Sequence, residues 1–124
     1  MTLKRKQFGN QAEDLAVRFL ERQGYRILQR NFRLRFGEID IIAQDQDTLC
    51  FVEVKARTTD ELGSPWESIT YFKQRKLSKL ALAYLRGQYK SLDVRCRFDV
   101  VAVSSHEEGR ETVEVIKNAF EVWT

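Results

Sequence analysis

The chain has 124 residues, 43% of them hydrophobic and 31% charged, and a net charge of +3. This is one domain's length with a globular composition, which excludes a repeat array, a low-complexity tail and a membrane bundle. No apolar run reaches the length of a membrane span, and "MTLKRKQFGN" has no apolar segment after its basic residues, so a cytoplasmic protein is expected.

The first predicted element is a helix over 8–23. Phe8, Ala12, Leu15, Ala16, Phe19 and Leu20 recur at helical spacing, and Gly24 is placed to stop it. "YRILQRN" (25–31) reads as a strand. A hairpin follows, with strands 37–44 and 48–56 about a turn at Asp45-Gln46-Asp47. The polar stretch 57–68, holding the only proline, Pro65, is a loop. Leu77, Leu80, Ala81, Tyr84 and Leu85 form the apolar stripe of a second helix over 69–86, with Gly87 as its end. Strands at 94–104 and 112–118 close the chain. The order αβββαββ predicts a single α/β domain over 1–124, a mixed sheet flanked by helices. The 45–47 turn demands an antiparallel pair, and the second helix is long enough for a crossover between parallel strands.

The hairpin "GEIDIIAQDQDTLCFVEVKAR" carries charge where a core strand should not. Alternation puts Ile39, Ile41, Val52 and Val54 on one face and Asp40, Glu53 and Lys55 on the other. If Gln46 and Asp47 form the turn tip, Asp45 pairs with Thr48 and Asp40 lies opposite Glu53; a one-residue slip separates them. Two acids side by side repel unless a cation lies between them. Lys55 could help, and a divalent metal would do better, because Mg²⁺ favours one or two carboxylates plus waters and phosphate oxygens. The chemistry is then metal-assisted phosphodiester hydrolysis, with Lys55 orienting water or stabilising developing charge. The plainer alternative is a cross-strand ion-pair ladder, since an E-x-K triplet alone is a weak signal.

Other residues carry paired readings. Glu13, at the margin of the first helix's stripe, either reaches the site or forms a capping pair with Asn10. Lys73, at the edge of the second stripe, either snorkels over the core or meets a phosphate. Trp66 either stacks on a base or closes its loop. Arginines at 18, 22, 26, 30, 33 and 35, and Lys73, Arg75, Lys76 and Lys79, form two basic groups suited either to phosphate or to a solvated surface. Cys50 and Cys96 read as buried free thiols without zinc spacing. His106 lies in an acidic turn, away from any nucleophilic triad, and the dispersed glycines form no phosphate loop.

Asp40 and Glu53-x-Lys55 across a hairpin, after a helix carrying Glu13, resemble the PD-(D/E)xK nuclease superfamily with its restriction-endonuclease-like fold. More narrowly, "FGNQAEDLAVRFLERQGYRILQRNFR", "GEIDIIAQD", "FVEVKAR", "GSPWESI…K" and "RFDVVAV" resemble the YraN-like bacterial family, which is similar to archaeal Holliday junction resolvases. The resemblance implies metal ligation by Asp40, Glu53 and the Val54 carbonyl, Lys55 as catalytic lysine and Glu13 as the helical acid. Ile39 stands where the superfamily's name has proline, and no exonuclease-type Gln motif is evident, Gln74 being a weak match. The expectation is a Mg²⁺-dependent (or Mn²⁺-dependent) endonuclease on DNA, with branched or junction DNA among its candidate substrates. Arg30, Arg33, Arg35, Arg57, Lys73, Arg75 and Lys76 would contact phosphates, and a resolvase would form a homodimer. The alternative is a nucleic-acid- or partner-binding module without turnover.

Overall fold

The computed structural model describes residues 3–58, 69–89, 93–107 and 109–121, less the side chains of 3–9 and 58. The loop with Pro65 and Trp66, and the Phe8 side chain, lie outside the described residues. In chain order the elements are α1 (Leu3–Arg22), β1 (Arg26–Leu34), β2 (Gly37–Asp45), β3 (Thr48–Thr58), α2 (Tyr71–Gln88), β4 (Cys96–Glu107) and β5 (Arg110–Phe120). The sheet follows sequence order, β1-β2-β3-β4-β5, and is antiparallel except between β3 and β4. Parallel strands need a long connection, and α2 supplies it. The expected order αβββαββ and the mixed sheet are therefore observed.

Local chemistry fixes the helix ends. Gly24 takes φ 95°, a left-handed turn that costs glycine little. The Tyr25 N–H then bonds to the Leu20 carbonyl at 2.9 Å and the Gly24 N–H to that of Glu21 at 3.0 Å, a Schellman closure with both Leu20 and Tyr25 buried. Thr70 caps α2, its hydroxyl accepting the Lys73 N–H at 3.2 Å. Several boundaries shift by a few residues, and two of the shifts overturn readings made from the sequence. The first helix starts at Leu3, so Asn10 lies inside it and the Asn10–Glu13 capping reading falls. Gly87 lies within α2, which runs one residue further before Tyr89 turns extended.

Alternate strand residues feed two cores. Ala12, Ala16 and Leu20 of α1 pack on Ile41, Ala43, Cys50, Val52, Val101 and Val103. On the other face, Leu77, Leu80, Ala81, Tyr84 and Leu85 of α2 pack on Ile39, Ile42, Leu49, Phe51 and Phe98. The second core is aromatic-rich: Tyr84 meets Phe32 and Phe51 edge-on at 5.3 and 6.0 Å. One helix on each face makes three layers, so the central strands β2, β3 and β4 are buried on both sides while β1 and β5 stay largely exposed. That explains why "IIA" and "LCFV" read as continuous apolar runs.

The hairpin has the predicted tip. Asp45 pairs with Thr48, and Gln46 takes the positive φ (55°) that tight hairpin turns need. The same register carries back to Ile41↔Val52, the point at which Asp40 and Glu53 come next on their strands. Ile39 corrects the simple alternation. It packs in the α2 core with Ile42, while Ile41 packs against α1. Between Ile39 and Ile41 the strand turns over, and Asp40 stands at that turn.

Candidate functional site

Beyond Ile41↔Val52 a side chain takes over from the ladder. An Asp40 carboxylate oxygen accepts the Val54 N–H at 2.8 Å, where a backbone carbonyl would serve in a continuing pair. This one hydrogen bond does not offset the carboxylate's setting. Burial, then the Glu53 charge beside it, push the Asp40 pKa up to about 7, with smaller pushes from Glu13 and Glu38. Asp40 and Glu53 are therefore close enough to repel, although the paired register ends one residue short of them, at Ile41↔Val52.

Glu53 is 9% exposed, and Lys73 of α2 reaches it, Nζ to Oε1 at 2.7 Å. Neither reading of Lys73 from the sequence foresaw this. The Thr70 cap sets the first turn of α2 so that Lys73 points at β3. Burial disfavours the Lys73 charge, but the attraction of Glu53 outweighs it and raises the Lys73 pKa. Lys55 stands beside Lys73. Burial and then the neighbouring ammonium lower its pKa, with only partial compensation from Glu53 and Asp40. Two acids and two lysines thus share one partly buried spot where β2 and β3 part.

Glu13 of α1 is near enough to push on Asp40 but is held by β1. Its Oε1 accepts from Arg30 Nε and from Asn31 Nδ2, both at 3.0 Å, and Asn31 takes φ 56° in β1 to do so. Arg30 also binds Asp14 at 2.8 Å. Arg33 forks onto Glu38 at 2.8 and 3.0 Å. Arg35 is exposed at the β1–β2 turn, Arg57 is half-buried on β3 opposite Ser104, and Arg75 and Lys76 are exposed on α2. The basic residues expected at phosphates are thus spread over β1, the β1–β2 turn, β3 and α2, with Arg30, Arg33 and Lys73 engaged by acids.

The donor set can be tested against a divalent ion. Among the described residues no three His, Cys, Asp or Glu side chains gather as a metal cluster. Two carboxylates are what Mg²⁺ asks of a protein when waters and phosphate complete its shell. The Asp40 pKa is raised by burial first and by the Glu53 charge second, and the second cause is one a cation would relieve. Asp40 and Glu53 fit a hard dication on that count, while Lys73 now neutralises one of them.

A second acidic centre was missed from the sequence. Asp99 of β4 is fully buried. It accepts from Tyr25 Oη at 2.9 Å, from Arg97 Nε at 2.9 and 3.2 Å, and from the Asn118 N–H at 3.0 Å. Arg97 continues to Asp45 at 2.6 Å, and Lys117 reaches the same oxygen at 3.4 Å. Burial and then the Asp99 charge push the nearby Cys50 thiol up to about 12, so it stays protonated and inert. Cys50 is buried as expected; Cys96 is only half-buried. The signal for Asp99 was in view, since an acid inside "RFDVVAV" is the same anomaly as one inside "EIDII". His106 is exposed, with Nε2 3.1 Å from Thr112 Oγ1.

Residues 12–103 match the uncharacterised protein family UPF0102. The chain belongs to that family. It is 48% identical over 122 residues to a UPF0102 protein of Geobacter metallireducens, with 98% of each chain covered. It is 50% identical to one of Desulfosudis oleivorans, covering 98% of this chain and 95% of the relative. A Syntrophus aciditrophicus member shares 52% over 115 residues, 92% of this chain and 88% of its own. This is the YraN-like family that the sequence motifs resemble, and the matched span holds Glu13, Asp40, Glu53, Lys55 and Lys73. None of the helices among the described residues is long and apolar enough to cross a membrane.

Proposed function

We propose that the protein is a divalent-metal-dependent endonuclease of the PD-(D/E)xK type, with a restriction-endonuclease-like fold, acting on phosphodiester bonds in DNA. One observation carries this reading: Asp40 and Glu53 meet where two strands stop pairing, with Lys55 and Lys73 at the same spot. A packed sheet gains nothing from two facing acids, and the chain could have placed valines there. Asp40 and Glu53, with the Val54 carbonyl and Glu13 as further donors, would hold Mg²⁺ or Mn²⁺. Such an ion, when bound, supplies positive charge that acidifies a water and shields a phosphate under attack. Lys55 would donate to an attacking water or to the phosphate, fixing the line of approach. Lys73 holds Glu53 in place and is near enough to Lys55 to turn to a phosphate. Arg57 and the basic residues of β1 and α2 bind the backbone on either side, and a homodimer would let paired strands be cut symmetrically.

The second reading is a nucleic-acid- or partner-binding module without turnover. It is favoured by the 2.7 Å Lys73–Glu53 ion pair, in which an ammonium already occupies the carboxylate a cation would use. Labelled linear, flapped and four-way DNA and RNA, incubated with Mg²⁺ or Mn²⁺, separate the two. The nuclease reading expects metal-dependent cleavage that Asp40→Ala and Lys55→Ala each lower by at least about 100-fold. Binding without cleavage by the wild type supports the module. Cleavage that survives both substitutions belongs to a contaminant and removes the nuclease reading.

A further inference from the structure

The first turns of α2 and the β1–β2 turn frame a groove of about 530 Å³ lined by Phe36, Tyr71, Phe72, Arg75, Lys76 and Lys79. Its aromatic residues are among the few large apolar side chains left in water: Phe36 is 45% exposed, Tyr71 55% and Phe72 85%. Burying such rings is worth more than burying most side chains, so leaving three together in solvent calls for an explanation. They are held in place from below. A Cβ built on Gly37 would lie 3.1 Å from the Lys76 stem and 3.4 Å from Leu80, so the turn carrying Phe36 sits directly on α2. Arg75 stacks over the Tyr71 ring at 5.8 Å.

The charge around these rings is of one sign. Over Tyr71–Gln88, α2 carries Lys73, Arg75, Lys76, Lys79 and Arg86 and no acid. A second copy of this chain docked face to face would set these cations against themselves. A polyanion would be attracted. Flat rings among cations suit a strand whose bases are free to stack, whereas a duplex keeps its base faces covered. The acid pair is reached from the same helical turn, since Lys73, the residue after Phe72, lies outside the groove's lining and touches Glu53.

We propose that this groove binds unpaired nucleotides, stacking bases on Phe36 and Phe72 while Arg75, Lys76 and Lys79 hold the phosphates. The substrate class is then nucleic acid with a single-stranded segment, such as a flap, a gap or a frayed end, led toward Asp40 and Glu53. This rests on the nuclease reading for its purpose but not for its test.

The test is fluorescence anisotropy in EDTA, with a labelled oligothymidylate about twenty nucleotides long and a duplex of equal length. Phe72→Ala and Phe36→Ala should each weaken single-strand binding about five- to 100-fold and leave duplex binding within about twofold. Phe72→Trp should restore it, and Phe72 is exposed enough that neither change there touches the core. Unchanged oligothymidylate affinity in Phe72→Ala overturns the groove while leaving the nuclease reading intact. So does equal loss for duplex and single strand, or a dimer that Phe72→Ala converts to monomer by light scattering. A wild type that binds neither probe in EDTA overturns the groove as well, and metal-dependent cleavage remains the separate test of the nuclease reading.

Discussion

Asp40 on β2 and Asp99 on β4, on either side of β3 in one sheet, are two acids that the fold treats in opposite ways. Asp99 is enclosed by donors: a phenol, a guanidinium and a backbone N–H all point at it. Asp40 receives one backbone N–H and faces another acid. The first arrangement ties β4 to β2 and β5 and to the start of β1, and leaves nothing for a ligand to do. The second leaves charge uncompensated at a place where the strands part. A buried acid is thus not by itself a functional signal; what distinguishes the two is whether the fold supplies the partners.

The comparison can be broken first at Arg97. Replacing it with Met leaves Asp99 buried beside a phenol with no cation. The loss should be about 3–5 kcal/mol, read as a fall in melting temperature of roughly 10 °C or more. A fall of only a degree or two would mean Asp99 is not held as a charged member of a paired network.

Asp40 should behave in the opposite direction. Its pKa is raised from 3.8 to about 7 in the folded protein, so folding is penalised once the unfolded chain ionises and the folded one does not. The penalty is absent below pH 4, grows from there, and is complete above pH 7. Asp40→Asn keeps an acceptor for the Val54 N–H and removes the charge. In EDTA it should gain on the order of 2 kcal/mol in urea unfolding at pH 8, about half of what 1.4 kcal/mol per unit would give, since Glu53 shares the repulsion. The gain should fade between pH 7 and 4. A loss of stability at pH 8 would show that the acid pair is structural after all.

The smallest effect is expected at Arg95 and Asp47, an ion pair at 3.0 Å whose side chains are both about seven-tenths exposed. Arg95→Gln should cost less than about 0.5 kcal/mol in the same assay, because exposed pairs are screened and entropically costly. A cost approaching that of Arg97→Met would undo the claim that burial separates these clusters.

Much of the hairpin was legible. Two-residue tips fix register, and register fixes which residues face one another, so Asp45↔Thr48 led to Asp40 opposite Glu53 before any coordinates. The helices were legible as stripes, and Gly24 as a stop. Gly87 was not a stop, because glycine costs a helix only about 1 kcal/mol and the buried Tyr84 and Leu85 just before it outweigh that. Asn10 looked like a cap because the apolar stripe begins near it, whereas the helix begins earlier.

What the sequence determined by itself was therefore periodic and local: element order, both apolar stripes, the tip of the hairpin and its register as far as Ile41↔Val52. Contacts between distant segments belonged to the tertiary structure. Lys73 on Glu53, Tyr25 and Asn118 on Asp99, Phe36 beside Phe72, and the switch of Ile39 to the α2 core all depend on how layers stack and where strands part. Alternation and helical spacing repeat along one segment and constrain only that segment. The partner of a charge is set by packing across the sheet, which no single segment encodes.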